Sequence, residues 1–433
     1  MLTAISRYGV RAVPEAEEII RQSAARGELI QGPQIEQFER AFEARLGSGT
    51  AVATSYGRMA FVHILRALHL PAGSEIVIPA LTFWVIPELA RRAGLRPVFA
   101  DVDPETFTLD PAALERAVTP ATRAVVPTHL YGLPCDMDPI RAIARRHGLA
   151  IIEDCAHALG ATYRGEPVGT LGDAALFSFQ TLKPLNAFGG GMAVVKDPAV
   201  ARHVRAQVDL LPWPDEGRVR NRFKVGRAQR FFTRPAMFTV CAFPILWVAS
   251  WFNANPDVYL WEPIRRLDPL PTAYTERFPN AQAALGLAAL ERLDTWTAAS
   301  QAHARTIDRV LAGIPDVQTP VVPADRTHVY YQYCVYVPDR DDLVVRCIRR
   351  GVDIETLHVD VCTRLALFAD LQPGAAPGAD RAAAAVQVPV YASLSDQQVE
   401  RIAKTVKRAV EAQVKQDEHA RARVPQRVRG GRG

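Results

Sequence analysis

The chain has 433 residues, 48% of them hydrophobic and 22% charged, with a formal charge of +5. This is the composition of a globular protein with a sizeable core, which excludes a disordered or fibrous chain, and the length suggests two or more domains. The net charge is too small to make nucleic-acid binding the default, and six cysteines without a CxxC pair argue against a zinc site and a disulfide framework.

Taken in order, residues from Gly9 to Gly47 read as helical, with Ile35, Phe38, Phe42 and Leu46 at helix spacing. From Ala51 onward, short β-rich runs alternate with helical ones. The predicted strands are Ala51–Thr54, Glu75–Ile78, Arg96–Ala100, Ala124–Pro127, Leu149–Glu153, Ala174–Phe179 and Met192–Val195. Most are continuously apolar, as strands buried on both faces are. Predicted helices Arg58–Leu68, Ile86–Ala93, Pro111–Ala117 and Pro139–His147 lie between them. The alternation predicts an α/β fold with a large, mostly parallel seven-stranded sheet and helices on both faces. Residues 209–274 break the pattern. Helix returns at Asn280–Leu293. A smaller α/β domain over 275–416 holds predicted strands Tyr331–Val337 and Val386–Val390 and a last helix Ser395–Gln413. The large domain is therefore 1–208, and 417–433 is an Arg-rich tail predicted to be disordered. No charged, apolar, small-residue leader pattern opens the chain, which predicts a reducing cytoplasmic compartment.

The chemistry concentrates around Lys183. It follows the aromatic-Ser-aromatic run Phe177-Ser178-Phe179 and precedes Gly189-Gly190-Gly191, glycines that let backbone approach a ligand. Most lysines are plain surface residues. Here the neighbours point to an amine that forms a Schiff base with pyridoxal 5'-phosphate (PLP), with an Asp to keep the pyridine nitrogen protonated. Asp154, after the strand Leu149–Glu153, is placed for that role, because ligands of parallel sheets sit at strand carboxyl ends. Its bland alternative is a helix N-cap, and Glu153 competes with it. His157, three residues on, is close enough to line the same site. Ser55-Tyr56-Gly57-Arg58 opens a helix and suits a phosphate, to which Ser178 could add a hydroxyl. Phe83 could stack on the ring, although a core aromatic is as good a reading of it alone.

These residues, with Gly32-Pro33-Gln34-Ile35, Pro79-Ala80-Leu81-Thr82-Phe83, Gly94 through Asp103, Thr128-His129-Leu130-Tyr131-Gly132, Glu153 through Gly160 and Gln282 through Leu287, carry a resemblance. The chain resembles the DegT/DnrJ/EryC1/StrS aminotransferases, PLP enzymes of fold type I, over roughly residues 9–410. The resemblance implies roles by position. Lys183 is the Schiff-base lysine and proton shuttle, and Asp154 partners the pyridine nitrogen. Phe83 stacks on the ring and His157 packs on its other side. Gly57, Arg58 and Ser178 bind the phosphate. It further implies a homodimer whose second subunit reaches the phosphate through Tyr274-Thr275-Glu276-Arg277, which puts Thr275 and Arg277 at the cofactor. The implied reaction moves an amino group from an amino acid such as L-glutamate to a keto-sugar or related cyclic or lipid-linked ketone by ping-pong half-reactions.

Three departures bear on substrate. Tyr56-Gly57-Arg58 stands where the family usually has Ser-Gly-Thr, Thr275 where an Asn is common, and Gly189 where a Glu is common. They put the usual nucleotide-sugar acceptor in doubt and leave the Lys183–Asp154 pair intact. Relatives with His at the lysine position are dehydratases, so Lys183 favours the aminotransferase over a dehydratase or lyase. A PLP-binding regulatory protein is the non-enzymatic alternative. The break at 209–274 is a basic stretch, Arg218 to Arg234, followed by the uncharged run Ala236–Phe252 containing Pro244. The run is short for a span of about 20 apolar residues. With Trp247, Trp251 and Trp261 it suits a peripheral, in-plane membrane contact through 218–252 at the inner face of the cytoplasmic membrane. The plainer alternative is a helix pair packed at the dimer interface or over the active site.

Overall fold

The computed structural model describes residues 3–252, 263–356 and 359–422. Its centre is a seven-stranded sheet: β1 (Thr50–Thr54), β2 (Glu75–Pro79), β3 (Arg96–Ala100), β4 (Thr122–Val125), β5 (Ala150–Asp154), β6 (Ala174–Ser178) and β7 (Gly191–Val195). These are the seven predicted strands, their ends displaced by no more than a residue or two. The spatial order is β1-β7-β6-β5-β4-β2-β3. Pairings from β6 through β3 are parallel, and β7 runs antiparallel to both its neighbours.

Alternate residues of each strand enter two different cores. Val77, Val125, Ile151, Phe177 and Val194 face one, shared with Phe38, Phe42 and Ile140. Ile78, Ala124, Ile152, Leu176 and Ala193 face the other, shared with Met59, Ile86 and Val204. Burial on both faces explains why the strands read as unbroken apolar runs. The aromatic-Ser-aromatic run uses the same alternation. Phe177 and Phe179 pack edge-on against Phe42 and Phe38 at 4.9 and 5.2 Å. Such pairs contribute about 1 kcal/mol each beyond area burial, and they turn Ser178 to the opposite face.

The helical lead-in is two helices, Ala16–Ala25 and Gln34–Leu46, the second ended by Gly47 at φ 74°. Helix Asn280–Leu290 lies against Gln34–Leu46 and places Ala281, Ala283 and Leu285 in the first core. The smaller unit pairs Tyr333–Val335 antiparallel with Val386–Val388 and covers them with Leu293–Leu311, Arg340–Arg349 and Asp396–Ala422. Ile5 packs in this smaller core, and Arg7 makes a buried ion pair with Asp353 at 2.6 Å. The first residues of the chain thus tie physically to the C-terminal unit. The last helix continues through Ala422, beyond the predicted end at Gln413. Its sequence there, Val414 to Ala422, has no glycine or proline to stop it. Residues 417–422 are therefore helix where a disordered tail was predicted. Residues 423–433 and Trp261 lie outside the described residues.

In the 209–274 segment, Asp215 caps helix Glu216–Phe232 by accepting from Arg218 N–H at 3.2 Å. A bend of 74° leads to a second helical stretch, Pro235–Ala249, which carries a π-turn over Phe238–Ala242. Among the described residues no single helix is long and apolar enough to cross a membrane.

Candidate active site

The carboxyl ends of β5 and β6 lie side by side, with Asp154 in register with Leu176. Alternation along β5 separates the two competing acids. Glu153 faces the first core, where it is wholly buried. Its oxygens accept from the N–H groups of Gly169, Leu171 and Gly172 at 2.9, 2.7 and 2.6 Å, and His129 Nε2 lies 2.9 Å away. Cys135 N–H donates to His129 Nδ1 at 3.0 Å, so the ring carries its proton on Nε2 and donates to Glu153. Cys155 lies close enough for His129, Glu153 and Cys155 to resemble a metal triad. With both carboxylate oxygens saturated and both ring nitrogens engaged, the cluster acts as a structural strut. Asp154 faces the other way, into a cavity of about 350 Å³. It is the last residue of β5 rather than the first after it.

The Asp154 carboxylate accepts one hydrogen bond among the described residues, from Ala156 N–H at 3.0 Å. Burial pushes its carboxyl above the ordinary range, opposed by that N–H, by Lys183 and by His129. Lys183 lines the same cavity. Its loop is pinned at Phe179, whose carbonyl accepts from Ala187 and Gly189 N–H at 3.1 and 2.9 Å. Burial, and secondarily Arg58, lowers the amine to about 8 against the pull of Asp154. A lysine so placed is neutral often enough near pH 8 to act as a nucleophile or base. Its Nζ lies 2.7 Å from His157 Nε2 and 5.0 Å from the centre of the Tyr331 ring. His157 stacks on Tyr331 at 4.2 Å.

Phe83, Arg58 and Ser178 also line the cavity. The Arg58 guanidinium sits over the rings of Phe83, Tyr274 and Tyr56 at 5.1, 5.2 and 5.8 Å and bonds the Tyr274 hydroxyl. Cation–π contact with these rings holds the guanidinium at the cavity wall. Gly57 starts helix Gly57–Ala67 without lining the cavity. A Cβ there would sit 2.7 Å from Phe177 O. The glycine cluster differs from expectation. Gly189, Gly190 and Gly191 do not line the cavity. A Cβ on Gly191 would meet Gly57 N at 2.2 Å and one on Gly190 the Phe278 ring at 2.1 Å. These glycines let β7 pass the helix start and Phe278, so they serve backbone packing rather than close approach of a ligand.

Thr275 and Arg277 lie outside this chain's cavity. Thr275 Oγ1 donates to Thr272 O at 3.1 Å. Arg277 Nε donates to Leu211 O at 3.1 Å, and its guanidinium stacks on Trp213 at 4.7 Å. Sequence reasoning missed Tyr331, Gln229 and Thr128 as cavity walls. Thr128 stood inside a quoted motif; Tyr331 opens a predicted strand and Gln229 lies in the basic stretch, but neither side chain was marked as a cavity wall.

The donor set fits PLP. Thr128 has a buried hydroxyl with no hydrogen-bond partner among the described residues. Asp154 has acceptor capacity to spare, Lys183 is a depressed amine, and Ser178 and Arg58 offer a phosphate a hydroxyl and a cation. A parallel sheet, an interrupting antiparallel strand and a Lys–Asp pair at the strand ends define a fold-type-I aminotransferase. The sequence matches the profile of the DegT/DnrJ/EryC1/StrS aminotransferase family over residues 12–407, and the chain belongs to that family. It is similar to a pleiotropic regulatory protein of Geobacillus stearothermophilus, 31% identical over 90% of this chain and 94% of the relative. It is also similar to a dTDP-3-amino-3,4,6-trideoxy-alpha-D-glucose transaminase of Streptomyces venezuelae, 31% identical over 79% and 77%. Among solved structures, S. venezuelae DesV in complex with a ketimine intermediate superposes with a TM-score of 0.73 at 29% identity, over 92% of this chain and 94% of that one. The protein is an enzyme of the transaminase class.

Proposed function

We propose that the protein is a PLP-dependent sugar aminotransferase. It takes the amino group of an amino acid, L-glutamate, and passes it to a keto-sugar or related cyclic ketone in two ping-pong half-reactions. The observation that carries the reading is the Lys183–Asp154 pair on one wall of a single cavity. Bound PLP supplies the electron sink for carbanionic charge. The Lys183 amine, 2.7 Å from His157 Nε2, would hold the cofactor covalently and, when free, would move a proton on the side it shares with His157. The Asp154 carboxylate, held in place by Ala156 N–H, would accept a hydrogen bond from the protonated ring nitrogen. Phe83 and His157 would flank the ring, while Ser178 and Arg58, with the helix start at Gly57 behind them, would hold the phosphate. Thr275 and Arg277 act in the partner subunit's site of a homodimer, consistent with their position outside this chain's own cavity. The compartment we assign is the cytoplasm.

The visible spectrum of the PLP-loaded protein tests this. The band of the lysine-bound cofactor should fall on adding L-glutamate as the amino form rises and 2-oxoglutarate accumulates. A band that ignores glutamate would sink the donor assignment. Absence of any Lys183-dependent band would sink the cofactor assignment. The similarity to a relative named as a regulatory protein makes PLP binding without turnover the competing reading, and the same spectrum separates them. A dehydratase or lyase would consume a sugar substrate without forming 2-oxoglutarate.

A further inference from the structure

The helix pair over 216–249 has two unlike sides. Val219, Phe223 and Gly226 turn inward, and Gln229 reaches the wall of the catalytic cavity. The outward side continues across the bend as an apolar surface. Val240 is 66% exposed, Ile245 69% and Phe252 79%, with Trp247 and Trp251 beside them. Trp247 and Trp251 pack together, with the Arg349 guanidinium over Trp251, and so many exposed apolar side chains in one segment point to a contact site. Every charged residue from 217 through 252 is basic, and none lies between 236 and 252. Lys224 and Arg234 are exposed next to Phe231 and Phe232.

We propose that this face docks in the plane of an anionic lipid bilayer, with the aromatic and aliphatic side chains in the acyl boundary and the basic helix at the headgroups. Charge decides between lipid and a second copy of the chain. Arg218, Arg220 and Arg227 are neutralised by Glu276, Glu216 and Glu17, while Lys224 and Arg234 make no ion pair among the described residues and leave the face basic. A two-fold contact centred on it would set like charges together, whereas anionic headgroups complement them. The bend of 74° excludes a straight span and suits an element lying along the interface. Gln229 of the same helix lines the cavity, so docking would hold the cavity next to the lipid surface. The acceptor class that follows is a ketone carried on a lipid. This last step rests on the aminotransferase reading; the surface itself does not.

Full-length PLP-loaded protein is floated with phosphatidylcholine vesicles, with and without phosphatidylglycerol. Wild type should float with the anionic vesicles and be released by salt. A fluorophore on Cys241, the exposed cysteine among the described residues, should brighten and shift to the blue on binding. The triple variant Val240→Ser/Ile245→Ser/Phe252→Ser should lose at least about tenfold in vesicle affinity, and Lys224→Glu/Arg234→Glu should lose the preference for anionic lipid. Wild type that stays with the soluble fraction, or a triple variant that floats equally, overturns the proposal. A triple variant that turns from dimer to monomer in sedimentation, with no vesicle binding by wild type, assigns the face to the dimer instead. The glutamate-dependent spectrum is read on the same samples. Its failure with flotation intact strikes the aminotransferase assignment and leaves the membrane surface standing.

Discussion

Glu153 and Asp154 are adjacent in sequence, both acidic, both buried, and opposite in purpose. The Glu153 side of β5 is closed: three backbone N–H groups and His129 saturate its carboxylate. The Asp154 side is open, with one N–H and a cavity shared with Lys183. The same strand therefore braces the fold on one face and lines the cavity on the other. The difference comes from what packs against each face, since the side chains differ by a single methylene.

The largest expected break is on the open side. Lys183→Ala should lower turnover by about 10⁴-fold or more while leaving the thermal midpoint near wild type, because it removes the group that carries and relays the proton. Steady-state kinetics with a melting curve checks both. Asp154→Ala comes next, with kcat down by about 10²–10³-fold. Asp154→Glu should restore part of it.

Glu153→Ala should do the reverse. It leaves the Gly169, Leu171 and Gly172 N–H groups and His129 without their buried acceptor, a loss of about 4 kcal/mol. Denaturant unfolding should show it. A Glu153→Ala protein as stable as wild type but catalytically dead would collapse the contrast between the two faces.

The pH dependence sharpens the comparison. Burial lowers Lys183 from 10.5 to about 8. A lowered lysine loses its proton at lower pH, so the reactive neutral fraction rises through about pH 8 and is nearly complete two units above it. At pH 8 an ordinary lysine is neutral in about one molecule in three hundred. The rate at which PLP reacts with cofactor-free protein should climb to a plateau over that window. In Asp154→Asn the rise should move to lower pH, since Asp154 holds the amine's proton. The smallest effect is expected from Tyr331→Phe. It keeps the ring on His157 and should change kcat by no more than about threefold.

Much of the fold was legible in the chain. Seven apolar runs, each four to six residues and separated by helical spacing, specify strands buried on both faces, and a sheet so covered has few arrangements open to it. Lys183, Asp154, Ser178, Arg58, Phe83 and His157 were readable because each lies at a strand end or turn with its own local pattern. What the sequence could not determine depends on residues far apart in it. Which of Glu153 and Asp154 faces the cavity depends on the pleat of β5 relative to the helices on each side. The task of Gly190 and Gly191 depends on Phe278 and Gly57 arriving beside them. Tyr331, at the start of a predicted strand, and Gln229, in the basic stretch, enter the cavity from segments far away in sequence, and nothing local marks either side chain as a cavity wall. Periodicity and turn chemistry are local and sequence records them directly; the face a strand turns to a pocket, and the side chains that close it, are set only when distant elements pack.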